Sequence, residues 1–389
     1  MTGSHDPQTR SDPLASVPSA AGADAARFCM LCCAHGAESV VKHEIAGQGW
    51  RLAFSRPGFV TAKRDDPAPP PSGVFIRAAA SSLGSFRGEH SRRLTEQIRD
   101  ALAQATAGPR KFDQLHVWPR DRVPIGRFGF EPGPDEVSRA VADEVFAAIG
   151  PSSLRCDAPN RIAAPGDQVL DLVLTDPSHW FLGTHRAGDW PSRWPGGVQP
   201  IVPANPPISR AYFKAAEAIT WSGFDVRPGD VAVEIGSAPG GACGRLLELG
   251  LRVIGIDPGE MAPEIAGHPR FRHVRARAGD LPRRLFRDAR WMLVDANVAP
   301  EKTLTTVEHV VTHRQSRLEG LLMTLKLGDY RRAEQIPRWG SVVRRWTPER
   351  IEIRQLARNR CEICFAVRFS PRASGSTFSS SRADGGHNI

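Results

Sequence analysis

The chain has 389 residues, 41% of them hydrophobic, which is an ordinary proportion for a soluble protein and enough for two or three domains with cores. Lys and Arg outnumber Asp and Glu by 51 to 42, which suits a polyanionic partner without separating nucleic acid from general basicity. The seven cysteines, an odd number in a long chain, argue against a disulfide framework. No apolar run resembles a membrane span or a signal peptide, so we expect a cytoplasmic location.

The two ends of the chain, residues 1–25 and 371–389, are rich in small and polar residues without periodicity, and we expect both to be disordered tails. The first ordered segment has a β-α-β-β pattern, with a strand at 28–33, a helix at 37–46 and strands at 50–54 and 58–62. This order predicts a small α+β domain over residues 26–82. The prolines at 67–71 and the small residues after them indicate a linker.

Residues 83–195 form a second predicted segment that also mixes helices and strands. Its predicted elements are a helix at 94–105, a strand at 115–118, a helix at 136–149, and a hairpin of strands at 169–174 and 180–183. The stretch Trp190–Gly197 is rich in tryptophan, proline and glycine and has no periodicity, which indicates a rigid hinge into the domain that follows.

The most informative stretch, Val231–Gly241, combines an apolar strand, a loop of small residues and the start of a helix. A strand that turns through glycines into a helix is how doubly wound α/β folds hold nucleotide-like ligands. Asp257 ends the next strand, 21 residues after Gly236, where a carboxylate accepts hydrogen bonds from a ribose diol. Pro239 removes a backbone donor that a dinucleotide pyrophosphate would use, so the loop favours S-adenosylmethionine as the cofactor.

The remaining apolar runs complete a seven-stranded sheet. With the strands at 231–235 and 252–256, the others are predicted at 271–274, 291–294, 320–325, 351–354 and 362–368. Helices separate the early strands, and the last two strands are adjacent in the chain. The pattern predicts an α/β, Rossmann-like parallel sheet that ends in an antiparallel hairpin.

Four ionisable residues lie at the ends of these elements, where doubly wound sheets keep their sites. Lys214 is on the helix before the first strand, and Asp295 and Lys326 end two later strands. Glu362 begins the last strand. Any one of these residues alone would suit a surface ion pair. All four in this order around the glycine-rich loop at 236–241, here called the donor loop, indicate a catalytic site.

These residues resemble the Lys-Asp-Lys-Glu tetrad of the FtsJ-like (RrmJ-type) ribose 2′-O-methyltransferases. The similarity is greatest to the RlmM-like branch, which methylates a cytidine of 23S ribosomal RNA. It rests on the stretches Ile208–Lys214, Glu234–Gly241, Leu293–Asp295 and Thr324–Leu327, with Trp194–Val198 upstream. The resemblance covers residues 190–369 well and the preceding residues weakly.

The resemblance implies a methyltransferase domain at residues 196–370, a ferredoxin-like segment at 26–82 and a THUMP-like RNA-binding module at 83–195. It implies that Lys326 is the general base, framed electrostatically by Lys214, Asp295 and Glu362. Together with the glycine loop, it implies these donor-binding residues: Ser209, Gly236, Ala238, Pro239, Gly240, Gly241, Asp257, Asp280 and Asp295. Ala242 and Cys243 stand where the family usually has a tryptophan. RNA, with ribosomal RNA favoured, is the implied partner.

A lysine base poses a chemical problem, because its ordinary pKa of about 10.4 keeps it protonated at neutral pH. Repulsion from Lys214 would lower the pKa of Lys326, whereas Asp295 and Glu362 counter the positive charge. The sequence leaves open which effect dominates. Two alternatives also stay open: the same chemistry on tRNA or another structured RNA, and a catalytically silent RNA-binding or ribosome-assembly factor.

Other motifs have simpler interpretations. The pairs Cys29/Cys32 and Cys361/Cys364 have zinc-like spacing, but residues three apart on a strand point to opposite faces, so we interpret them as core thiols and expect no metal. Asn205–Pro207 resembles the signature of amino-group methyltransferases, yet it precedes the donor loop, and we interpret it as a kinked linker. The basic clusters at 270–277 and 283–290 could contact RNA phosphates.

Overall fold

The computed structural model describes residues 25–104 and 111–370. The two tails predicted at 1–25 and 371–389 therefore lie outside the described residues, apart from residue 25. The described chain forms two seven-stranded sheets, one in each half. None of the helices in these ranges is both long enough and apolar enough to cross a membrane.

The first sheet has the strand order β2-β3-β1-β4-β7-β6-β5, and its neighbouring strands are antiparallel apart from β5 and β6. Its elements in chain order are β1 (Ala26–Cys32), α1 (Glu38–Ala46), β2 (Arg51–Arg56), β3 (Phe59–Ala68), β4 (Ala78–Arg87), α2 (Ser91–Gln104), β5 (Gln114–Pro119), α3 (Glu136–Ser153), β6 (Gln168–Asp176) and β7 (His179–Arg186).

The prediction that the small residues after residue 71 form a linker was wrong, because they include most of β4, a central strand of the sheet. This strand pairs with β1 on one side and with β7 on the other. Its sequence begins with three alanines and two serines, which favour strands weakly, so local pattern gave no signal. The strand forms because it fills the gap between two strongly apolar neighbours.

The boundary predicted between residues 82 and 83 falls inside β4. The segments 26–82 and 83–195 therefore contribute strands to one continuous sheet rather than to two separate ones. The division into a ferredoxin-like and a THUMP-like part stays a prediction, because the shared sheet does not show which known module each segment is similar to.

The second sheet has the order β10-β9-β8-β11-β12-β14-β13. Its elements are α4 (Ala211–Ser222), β8 (Val231–Ile235), α5 (Gly241–Glu248), β9 (Arg252–Ile256), α6 (Pro263–Ala266), β10 (Phe271–Val274), β11 (Trp291–Val294), α7 (Pro300–Val311), β12 (Gly320–Lys326), α8 (Ile336–Arg344), β13 (Arg350–Arg354) and β14 (Glu362–Arg368). Strands β8 to β12 are parallel neighbours, and β14 is antiparallel to β12 and β13. The predicted Rossmann-like sheet with an antiparallel end is confirmed.

The two halves are fixed to each other through the stretch between β7 and α4. Trp194 is buried, and Arg77, at 3% exposed, donates from Nε to the carbonyl oxygen of Gly196 at 2.8 Å. Arg77 also forms a two-pronged ion pair with Asp121, with N–O distances of 2.6 and 2.7 Å. Arg354 of β13 donates to the carbonyl of Arg77 at 2.9 Å. The paired buried groups of Arg77 and Asp121 help to hold the hinge in one geometry.

Five of the seven cysteines are buried, whereas Cys361, which we interpreted as a core thiol, is only half-buried. Cys29 and Cys32 of β1 and Cys364 of β14 are buried, and burial raises the pKa of the Cys29 thiol to about 12. Within the ranges that the structure describes, no three His, Cys, Asp or Glu side chains cluster in a way that could hold a metal ion.

Candidate active site

The topology of the second sheet brings the predicted site residues to one edge. Gly236 follows β8, Asp295 follows β11, and Lys326 ends β12, so all three lie at the carboxyl ends of parallel strands. Because β14 runs the other way, Glu362 at its start pairs directly with Lys326 in the sheet register. Lys214 reaches the same edge from α4.

The four tetrad side chains form a closed ring of ion pairs. Lys214 Nζ lies 2.7 Å from Asp295 Oδ2 and 2.5 Å from Glu362 Oε1. Lys326 Nζ lies 2.5 Å from Asp295 Oδ1 and 2.5 Å from Glu362 Oε2. Each lysine therefore bridges both carboxylates, and each carboxylate uses both of its oxygens. With two positive and two negative groups, the ring is neutral as a whole.

The ring is largely shielded from water, with side-chain exposures of 26% for Lys326 and 6% for Glu362. Burial alone would raise the pKa of Glu362, but Lys214 and Lys326 outweigh it and lower that pKa to about 2. Burial alone would lower the pKa of Lys326, but Asp295 and Glu362 outweigh it and raise that pKa. The question that the sequence left open is decided: in this arrangement the carboxylates dominate and hold Lys326 as an ammonium.

Sequence reasoning missed Asn359, which is buried and supports the ring. Its side-chain nitrogen donates to Glu362 Oε1 at 3.3 Å, and its side-chain oxygen accepts from the backbone N–H of Leu356 at 2.8 Å. The second bond fixes the turn before β14, and the first orients the carboxylate. The sequence signal that could have identified Asn359 is its position, three residues before Glu362 at the start of a buried strand.

The donor loop lies directly against the tetrad. Gly236 has φ of +85°, and a Cβ at this position would lie 2.6 Å from the carbonyl oxygen of Asp295. Only glycine allows the loop to approach Asp295 this closely. The peptide between Ala238 and Pro239 is cis, and Gly240 leads into α5.

The carboxylate of Asp257 is tied to the same loop. Its Oδ2 accepts from the backbone N–H of Ala238 at 3.2 Å, and its Oδ1 accepts from Gly259 at 2.7 Å. Ser209 contacts the helix start at Gly241, where a Cβ would collide with the serine hydroxyl. These residues surround the glycine turn, and their roles in binding the methyl donor stay a prediction.

Asp280 is placed differently from the other predicted residues. It lies on an exposed single turn, Ala278–Asp280, that follows β10. Its carboxylate makes no hydrogen bond or ion pair with the other predicted residues in the part of the chain that the structure describes. Its role at the donor site stays a prediction.

A second residue that sequence reasoning left out of the site is Glu234 on β8. It is 2% exposed, and burial, aided by Asp295 and Asp257, raises its pKa to about 8. Its Oε2 atom has no hydrogen-bond partner among the described residues. This buried carboxyl lies on the strand that leads into the glycine loop, and burial favours its neutral form.

A Rossmann-like sheet with a glycine loop at its carboxyl edge is a fold that binds nucleotide-like ligands, and the family that this segment matches makes it a methyltransferase whose donor is S-adenosylmethionine. Residues 207–327 match the family described as FtsJ-like methyltransferase. This segment of the chain is therefore similar to the FtsJ-like methyltransferases, which confirms the resemblance found in the sequence.

Curated relatives extend the match beyond this segment. The ribosomal RNA large subunit methyltransferase M of Halorhodospira halophila is 28% identical over 68% of this chain and 72% of its own length. The proteins of the same name from Aromatoleum aromaticum and Azoarcus sp. are 31% and 29% identical and are matched over 48% and 57% of their lengths. The chain thus spans about half to three quarters of these relatives.

Among solved structures, the Methanococcus jannaschii fibrillarin pre-rRNA processing protein overlaps 52% of this chain and 84% of its own chain. The TM-score is 0.34 and the identity 8%. At these values the overlap carries no information on function.

Proposed function

We propose that this protein transfers a methyl group from S-adenosylmethionine to a ribose 2′-hydroxyl of RNA, with a cytidine of 23S ribosomal RNA as the favoured target. The observation that carries the proposal is the closed Lys214–Asp295–Lys326–Glu362 ring beside the glycine loop. The names of the curated relatives support the choice of ribosomal RNA. Such a substrate is found in the cytoplasm, the location that the sequence predicts.

The chemistry requires a nucleophile, a base and alignment. When bound, S-adenosylmethionine supplies an electrophilic methyl group, so the 2′-oxygen must attack it in line and lose its proton. Lys326 Nζ, at the carboxyl end of β12, accepts this proton in its neutral form. Lys214 keeps both carboxylates paired when Lys326 releases its own proton to solvent. The carboxylates then stabilise the ammonium that forms as the new O–C bond replaces the S–C bond.

Exposed basic residues at the same edge support an RNA substrate. Arg275 and Arg277 follow β10, and both are exposed where the parallel strands end. Guanidinium groups in such positions suit phosphate contacts. We assign the first sheet to RNA capture, because it is joined to the catalytic half by the hydrogen bond from Arg354 of β13 to the carbonyl oxygen of Arg77.

The test is transfer of labelled methyl groups to total RNA from cells that lack the modification, with wild type and Lys326→Ala in parallel. We expect label in 23S RNA, recovered as an alkali-resistant 2′-O-methyl dinucleotide, with wild type only. Label that survives the substitution would remove Lys326 as the base. Binding of S-adenosylmethionine without transfer to any RNA would favour a catalytically silent RNA-binding factor. Label in tRNA would show that tRNA, rather than 23S RNA, is the substrate.

A further inference from the structure

The loop between β5 and α3 carries an exposed aromatic ring. Phe128 is 86% exposed, which is unusual for a phenyl group, and its backbone has φ of +52°. Gly126 and Gly129 on either side also have positive φ. Gly126 donates its N–H to the carbonyl of Phe130 at 2.7 Å, so the turn that displays the ring is closed. A strained, fully displayed ring is a feature of binding sites rather than of cores.

This loop is anchored to the catalytic half of the protein. The guanidinium groups of Arg360 and Arg210 lie 2.8 and 2.9 Å from the position that a Cβ on Gly126 would occupy. Arg210 also pairs with Glu131 of the loop at 3.0 Å. Arg210 directly follows Ser209 of the donor site, and Arg360 is two residues before Glu362. The loop is therefore held at the margin of the tetrad.

A cavity of about 500 Å³ lies between the start of this loop, residues 34–36 of the first half, and the segments that follow β12 and precede β14. One side is lined by Pro124 and Ile125 of the loop, and the other by Gly328, Asn359 and Arg360. Gly328 is two residues beyond Lys326, and Asn359 is hydrogen-bonded to Glu362. The size of this space suits one or two nucleotides.

The side chains around Phe128 indicate which kind of ligand the loop binds. The guanidinium of Arg127 lies 5.0 Å from the Phe128 ring centre, and Arg122, Arg127 and Arg360 are exposed. A flat apolar surface surrounded by cations is the combination that binds unpaired bases by stacking and their phosphates by charge. An apolar protein surface would instead need several adjacent hydrophobic residues.

We propose that Phe128 stacks on an unpaired RNA base next to the target nucleotide, while Arg127 and Arg360 contact the adjoining phosphates. The stacked base fixes the strand so that the target ribose enters the cavity and reaches the tetrad. This assignment rests on the proposed RNA methyltransferase function. It makes Phe128 a substrate-positioning residue that lies outside the methyltransferase fold.

The test compares Phe128→Ala and Phe128→Tyr with wild type, and uses Val137→Ala as the control. Val137 is a 68% exposed apolar residue on α3, so its loss removes a similar surface elsewhere. Binding is followed with a single-stranded oligoribonucleotide that contains 2-aminopurine, whose fluorescence falls on stacking. Transfer to undermodified 23S RNA gives kcat and KM in parallel.

We expect Phe128→Ala to raise the RNA Kd and KM about tenfold or more and to abolish the fluorescence quenching. We expect Phe128→Tyr and Val137→Ala to keep the wild-type RNA Kd, KM and fluorescence quenching. The affinity for the methyl donor should be the same in all four proteins. Equal quenching and KM in Phe128→Ala would overturn the assignment while leaving the proposed function intact. A wild type that binds RNA through Phe128 but transfers no methyl group would refute the proposed function and support the binding site.

Discussion

The substitution Glu362→Gln tests how the tetrad controls its base. It removes one of the two carboxylates that hold Lys326 as an ammonium, at an N–O distance of 2.5 Å, and leaves Asp295 as the other. An opposite charge this close typically changes a pKa by about 1–3 pH units. At about 1.4 kcal/mol per unit, the substitution should favour neutral Lys326 by about 1.4–4 kcal/mol.

The assay is single-turnover methyl transfer to 23S RNA as a function of pH. The raised pKa of Lys326 means that the neutral amine becomes more abundant as pH rises, so the wild-type rate should increase throughout the neutral range. In Glu362→Gln the rate should level off about 1–3 pH units lower. The plateau rate itself can fall, because a weaker base and a less ordered ring both slow the transfer.

The matched control is Glu352→Gln on β13 of the same sheet. Glu352 is 13% exposed and pairs with Arg350 at 2.5 Å, so its loss removes a comparable ion pair away from the tetrad. Its pH profile should match wild type. A plateau at the same pH in Glu362→Gln and wild type would refute the assignment of Lys326 as the titrating base.

Two further predictions concern the donor loop and the junction between the halves. Gly236→Ala should abolish binding of S-adenosylmethionine in calorimetry, because the added Cβ meets the carbonyl oxygen of Asp295. The control is Gly49→Ala, which also has a positive φ, of +76°, but no atom within 4 Å of the added Cβ, and it should bind the donor normally. Arg77→Leu should lower the free energy of unfolding in urea by about 3–5 kcal/mol, since it leaves the carboxylate of Asp121 buried and unpaired. Substituting both partners by leucine should recover part of that loss, and no recovery would contradict this reasoning.

Much of the catalytic half could be predicted because its strands are short apolar runs separated by helices and glycine turns. All seven of its predicted strands are present, and the edge at which they meet follows from their direction. The strand Ala78–Arg87 could not be predicted, because its small residues carry no strand signal of their own. Its position depends on pairing with β1 and β7, which are distant in the chain.

The members of the tetrad could be named from sequence, but their electrostatics could not. Lys214 and Lys326 are 112 positions apart, and the balance between their repulsion and the attraction of the carboxylates depends on distances of 2.5–2.7 Å. Asn359 was missed for the same reason, since only the turn before β14 brings its side chain to Glu362.

The neutral charge of the ring explains why an RNA enzyme would keep a base that is protonated at rest. A free cationic pair at this edge would bind any phosphate that entered, and the lysines would then be occupied by backbone rather than by the target hydroxyl. Pairing each lysine with two carboxylates cancels this attraction at the reacting point. Phosphate binding is then left to arginines at the margin, such as Arg360 and Arg127, beside the exposed ring of Phe128. Separating binding from proton transfer in this way lets the ribose, rather than its phosphate, occupy the position next to Lys326.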